Sequence, residues 1–151
     1  WGEPEDSKIM IWRDRARVPY FVFPVLRYGN VVLTPQPTRG WDQDIKKAYH
    51  DVSIPPHHQY LAFYLWLQHG FRAHAMIHLG THGTMEWLSG KEVGQTAADP
   101  SEAMVGDVPV FYPYIVDVIG EGLQAKRRGM AALVSHMTPP FDAAGLNPDL
   151  L

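Results

Sequence analysis

The spacing of apolar positions changes along this chain, and each change marks an expected element. Ile9 to Trp12 is a short apolar patch, followed by Arg13, Arg15 and Arg17 at alternate positions before Tyr20 to Phe23. A period of two predicts a strand that carries those arginines on one face. Val25 to Tyr28 and Val31 to Thr34 flank Gly29-Asn30, a pattern that predicts a hairpin with a tight turn. Two prolines in Pro35 to Gly40 stop sheet pairing and Gly40 permits a turn, so Arg39 sits on a loop, either as a ligand contact or as a solvated side chain.

Further on, Pro55-Pro56 and His57-His58 precede Gln59 to Gln68, where Tyr60, Leu61, Tyr64, Leu65 and Gln68 fall at helical spacing until Gly70. This is an expected helix, and its aromatic face reads as core before it reads as a platform for a flat ligand. Ala73 to His78 is too short for a helix and fits a buried strand leading into a turn at Gly80. Pro100 to Met104 predicts a short helix, Val108 to Val116 a largely buried extended stretch, and Gly122 to about His136 a longer helix ended by Thr138-Pro139-Pro140. Strands alternating with helices make an α/β class, a layered sheet with flanking helices. Residues 1–40 are the strand-rich part, and 41–151 the α/β part that carries the motifs.

The chemistry concentrates in Ala73 to Trp87, which holds His74, His78 and His82, the glycines Gly80 and Gly83, and Glu86. Imidazole and carboxylate bind divalent metals and move protons near neutral pH, and glycines let the backbone turn sharply enough to gather them. The local order is strand, glycine turn, short helix. His78 would end the strand, Gly80 to Gly83 would turn, and Thr84 to Leu88 would be a helix ending at Gly90. Because ligands in open α/β sheets lie outside the carboxyl ends of the strands, His78, His82 and Glu86 would converge there. The plainer alternative, a core His78 and a helix-capping Glu86, stands beside it. One continuous helix through His74, His78, His82 and Glu86 is disfavoured, since each glycine costs about 1 kcal/mol in a helix interior.

Composition narrows the classes. The chain has 151 residues, 46% hydrophobic and 19% charged, the size and balance of one globular domain. A formal charge of -3 argues against a nucleic-acid partner. With no cysteine, any metal would be held by histidine and oxygen, and a cytoplasmic location is expected. No apolar stretch reaches about 18 residues, so no membrane span is expected. A start at Trp1 without an initiator methionine and an end at Leu151 without a tail suggest a segment excised from a larger chain. Two hydrolase patterns fail. Gly80-Thr81-His82 lacks the downstream serine segment of a subtilisin-like triad. His78 and His82 lack the glutamate that follows the first histidine of a zincin, where Leu79 stands. Lys126-Arg127-Arg128 splay around a helix, so at most two of them can face one ligand.

Taken together, Pro55 to Tyr64, Ile77 to Lys91 and Gln124 to Arg128 closely resemble the large subunit of the cobaltochelatases, the CobN-type family. Val108 to Tyr114 and Thr138-Pro139-Pro140 fit the same pattern. The large subunit of magnesium chelatase, its H-type subunit, is similar but less fully so. The resemblance runs from about Gly29 to Pro140. It implies a fragment of a much longer subunit that binds tetrapyrrole and metal, while separate AAA+ ATPase subunits hydrolyse ATP. ATP is therefore not expected to bind here, and no P-loop pattern occurs. The implied reaction is insertion of Co2+ into hydrogenobyrinic acid a,c-diamide in cobalamin biosynthesis. The alternatives are insertion of Mg2+ into protoporphyrin IX, a non-catalytic scaffold that docks the ATPase subunits, and a stand-alone metal carrier. For metal insertion of this kind His78, His82 and Glu86 would hold the metal, with Glu86 and His82 catalytic. Arg39, His58, Trp87, Lys91, Lys126, Arg127 and Arg128 would bind substrate. The chain departs from the family at His74, where aspartate is usual, at Ser89, where proline is usual, and near Asp117, where asparagine is usual. His74 is thereby the weakest histidine of the run.

Overall fold

The computed structural model describes residues 10–38, 53–80, 88–114 and 119–135. Strand β1 (Ile11–Arg13) pairs antiparallel with β2 (Pro19–Phe21), and β3 (Leu26–Tyr28) with β4 (Val31–Leu33). The second hairpin is the expected one, with Gly29 at φ 58° supplying the left-handed turn residue. The first differs from expectation, because β1 ends at Arg13. Asp14 turns the chain by accepting the Val18 N–H on its side chain at 2.8 Å and the Arg17 N–H on its carbonyl at 2.9 Å. Arg15 and Arg17 therefore lie beyond the strand, in and after the turn, and Arg17 has φ 64°.

Register gives the β3–β4 hairpin two distinct faces. Leu26 pairs with Leu33 and Tyr28 with Val31, and all of these are exposed. The opposite face pairs Arg27 with Val32. Val32 packs against the core, and the Arg27 guanidinium lies 5.6 Å from the centre of the Phe71 ring.

Helix α1 (His58–Leu65) continues into a π turn over Trp66–Gly70. Its aromatic face is core, as its spacing predicts. Tyr60, Phe63 and Tyr64 are buried and their rings meet edge-on or tilted at 5.1–5.3 Å. The helix starts where His57, with extended backbone, accepts the Tyr60 N–H on Nδ1 at 3.3 Å.

The remaining strands, β5 (Met76–Ile77), β6 (Val110–Tyr114) and β7 (Ala132–Ser135), form a parallel sheet in the order β5-β6-β7. Helix α2 (Pro100–Val105) lies between β5 and β6 in sequence, and α3 (Ile119–Gly129) connects β6 to β7. This is the α/β arrangement expected, and it belongs to a parallel crossover topology. The expected helix to His136 is shorter. It ends at Gly129, Met130 takes φ 47°, and Ala132–Ser135 leaves as a strand alongside β6.

Met76, Val110 and Tyr112 point to the buried side of this sheet and join Leu88, Met104, Val105, Ala125 and Ala131 with the α1 aromatics in one core. The expected strand over Ala73–His78 is shorter and only half buried. Met76 is 5% exposed, whereas Ile77 is 69% exposed on the opposite face with Phe111 and Val134. No helix among the described residues is long and apolar enough to cross a membrane.

Candidate functional site

The site is laid out from β5. Alternate backbone N–H groups of Met76, His78 and Gly80 donate to the carbonyls of Pro109, Phe111 and Pro113 at 2.8, 2.9 and 3.0 Å. The parallel ladder therefore runs past Ile77 and fixes His78 at the carboxyl end of the strand, as the sequence predicts. Alternation places its side chain on the Met76 side. There the imidazole is partly buried, its ring centroid 6.4 Å from that of Tyr64 at an interplanar angle of 71°. Burial pushes the His78 pKa down from 6.5 to about 4, because a charged imidazolium is penalised there. The ring is thus neutral at physiological pH, the form that donates a nitrogen lone pair to a metal. Gly80 follows at φ 92°, a conformation that other residues rarely adopt.

Of the partners expected for His78, His82 and Glu86 lie outside the described residues, as do Trp87, Arg39 and most of the short helix expected over Thr84 to Leu88. Among the described residues no three His, Cys, Asp or Glu side chains come together as a metal site. His74 is exposed. His58 opens α1 and is partly buried, directly after the capping His57. The His57 ring also bridges to the preceding loop, with Nε2 2.6 Å from the Thr38 carbonyl oxygen. With Nδ1 accepting from Tyr60, Nε2 carries the proton donated to Thr38. Burial lowers the His57 pKa, partly offset by the Thr38 carbonyl, and the neighbouring His58 lowers it further. Gln36 Nε2 donates to the Tyr60 hydroxyl at 3.1 Å, a second tie between that loop and α1.

The chain becomes described again at Leu88, in a segment held from both sides. Leu88 and Ser89 are buried, Gly90 takes φ 92°, and Lys91 is exposed. The Lys126-Arg127-Arg128 triplet divides as helix geometry requires. Glu121, Ala125 and Arg128 share the buried face of α3, while Lys126 and Arg127 are exposed. Arg128 is 2% exposed and donates from its guanidinium to the Leu88 carbonyl oxygen. On the same helix, Glu121 accepts a hydrogen bond from the buried Tyr112 hydroxyl of β6.

On the other side of the segment stands Asp99, which is 7% exposed. Its Oδ1 accepts the Lys91 N–H at 3.0 Å, and its Oδ2 accepts the Thr96 N–H at 2.7 Å and the Thr96 hydroxyl at 3.0 Å. The backbone N–H groups of Lys91 and Thr96 hold its pKa below the usual carboxylate value. Sequence reasoning missed both Asp99 and His57. Asp99 stands before Pro100 and reads as an ordinary helix start.

Set beside known proteins, the whole chain, residues 1–151, matches the family model for CobN/Magnesium Chelatase. The chain belongs to this family. It is 44% identical over 144 residues to the aerobic cobaltochelatase subunit CobN of Pseudomonas aeruginosa, covering 95% of this chain and 11% of that one. It is 43% identical over 125 residues to the H-type magnesium-chelatase subunit of Chlorobaculum parvum, covering 83% of this chain and 10% of the relative. The catalytic subunit of cobaltochelatase from Mycobacterium tuberculosis superposes with a TM-score of 0.79 at 45% identity, over 93% of this chain and 12% of that structure. The chain thus spans about a tenth of the length of these CobN and magnesium-chelatase relatives.

Proposed function

We propose that this chain is a segment of the large, tetrapyrrole- and metal-binding subunit of an ATP-dependent chelatase that inserts Co2+ into hydrogenobyrinic acid a,c-diamide. The observation that supports this reading is the family match over residues 1–151, which includes the run from His78 to Glu86. Cobalt is favoured over magnesium by the broader cover of the cobaltochelatase relative, 95% of the chain against 83%. Insertion of Mg2+ into protoporphyrin IX is the second reading, favoured by an identity nearly as high, 43%.

The chemistry asks for few groups. Insertion requires water to leave the metal, protons to leave the ring nitrogens, and the ion to be held close until it transfers. A neutral imidazole is an intermediate-strength ligand for such ions, and His78 is held neutral by its surroundings. His82 would be the second nitrogen ligand. Glu86 would bind the metal or accept a ring proton. Lys91, Lys126, Arg127, Arg39 and His58 would pair with the acidic groups around the macrocycle, and Trp87 would flank it. Arg128, expected from its sequence position among the substrate contacts, is instead buried against Leu88, and this suits a supporting role. AAA+ partner subunits would supply the ATP hydrolysis, and the remainder of the large subunit the other wall of the site.

The test is chelatase activity of the full-length subunit carrying Glu86→Ala, assayed with its partners. A loss of at least about 100-fold is expected for a group that moves a proton in the rate-limiting step. Wild-type turnover would remove Glu86 from the mechanism. Co2+ titration of the chain with His82→Ala and Glu86→Ala completes the test, since unchanged affinity in both variants would leave the segment as a scaffold that docks the ATPase subunits.

A further inference from the structure

We infer that Asp99 is a positioning residue, which with Arg128 fixes the backbone from Leu88 to Lys91 so that the Lys91 ammonium meets an anionic group of the substrate. The inference rests on the reading of Lys91 as a substrate contact and adds what makes that contact specific.

A lysine is a point charge on a flexible four-carbon stem, so where its charge acts depends on how firmly its backbone is held. Here the backbone is tied at three points. The Lys91 N–H donates to Asp99 Oδ1 at 3.0 Å, and the Lys91 carbonyl accepts from Gln95 Nε2 at 2.9 Å. Three residues earlier the Leu88 carbonyl accepts from Arg128. Between these ties Gly90 is pressed against Asp99. A Cβ there would lie 2.7 Å from Oδ1, and φ 92° would strain any other residue. Asp99 is itself fixed by the Thr96 N–H and hydroxyl on Oδ2, and its own N–H donates to the Thr96 carbonyl at 2.8 Å.

Both anchoring groups are charged and almost fully buried, whereas the lysine they flank is exposed. Burying a carboxylate and a guanidinium is costly unless their bonds are satisfied. The arrangement spends buried charge on the placement of one exposed cation, which fits recognition of a substrate whose rim carries carboxylates.

The test uses the full-length subunit and measures affinity for hydrogenobyrinic acid a,c-diamide and for protoporphyrin IX by absorbance titration. The variants are Lys91→Ala, Asp99→Asn and the double variant. Asparagine keeps one acceptor oxygen and turns an amide N–H toward a backbone donor, so one arm of the clasp is lost. Each single variant is expected to weaken binding about tenfold, the scale of one bond to a charged group. The double variant is expected to bind no worse than Lys91→Ala, because Asp99 acts through Lys91.

Independent, additive losses would overturn the positioning role, as they would show a general structural effect. Wild-type affinity in Asp99→Asn beside weakened Lys91→Ala would overturn it while leaving Lys91 as a contact. Wild-type affinity in Lys91→Ala would remove Lys91 as a contact and overturn the inference while leaving tetrapyrrole binding in place, whereas no binding of either tetrapyrrole by the unaltered subunit would overturn the proposed function as well. If Asp99→Asn does not fold, Thr96→Val takes its place, removes one bond to Oδ2 and is judged by the same coupling with Lys91.

Discussion

His57 Nε2 lies 2.6 Å from the Thr38 carbonyl oxygen while Nδ1 of the same ring accepts the Tyr60 N–H at 3.3 Å. One imidazole thus starts α1 and ties it to a loop nineteen residues earlier. His57→Ala loses both bonds and is expected to lower the unfolding free energy by about 1–2 kcal/mol. His57→Asn can still cap the helix but is too short for the bridge, and should recover about half of that. Urea denaturation of the three proteins measures both.

His78 predicts an acid limb in the stability profile. Its folded pKa, about 4, lies below the 6.5 of the exposed group, so the unfolded chain binds the proton more readily. Above pH 6.5 both states are neutral and the group has no effect. Stability is expected to fall as the pH drops from about 6.5 to about 4, by roughly 3 kcal/mol in total, and to level off below. His57, shifted in the same direction, steepens the fall. Comparing the protein with His78→Asn across this range in metal-free buffer isolates the part due to His78. Parallel profiles would contradict it.

Neighbouring arginines should behave oppositely. Arg127→Ala, on the exposed side of α3, is expected to change stability by less than about 0.5 kcal/mol. Arg128→Met removes the buried donor to Leu88 and is expected to cost about 2–3 kcal/mol. Thermal unfolding separates the two, and equal losses would contradict the burial of Arg128.

Gly106 ends α2 at φ 53° and ψ −136°, and a Cβ there would run into the Gln68 side-chain amide. That amide donates to the Ala103 and Met104 carbonyls at 3.0 and 2.9 Å, closing the carboxyl end of the helix. Gly106→Ala should therefore lose backbone ease and the Gln68 bonds together, about 2–4 kcal/mol. Gln68→Ala should lose only the second part, about 1–2 kcal/mol. The difference between them, read by denaturation, is the cost of the backbone conformation.

What was legible in the sequence was local. Gly29-Asn30 names its own turn, Pro55-Pro56 and Gly70 bracket α1 and its π turn, and Pro100 starts α2. His78 was legible as a strand end because Gly80 follows two residues later. The arginine alternation misled because the Asp14 turn, which is closed by a side chain, interrupts a period that the arginines alone preserve. Strand β7 was hidden because Ala131 to Val134 can continue a helix as well as form a strand. The choice is made by β6, some twenty residues earlier, and by the break at Met130. Asp99 was invisible for a related reason. Its partners Lys91 and Thr96 lie in a loop whose closure no spacing rule foretells.

The π turn over Trp66–Gly70 has one more consequence, which concerns length and not residue type. Each residue of an α-helix advances the chain by about 100°, and a wider turn absorbs an added residue without passing that rotation on. Removing one residue between Trp66 and Gly70 would restore an ordinary helix and swing Gln68 away from the Ala103 and Met104 carbonyls that it now meets. Those five positions act as a phase adjuster between α1 and everything after it, where the number of residues matters as well as their type.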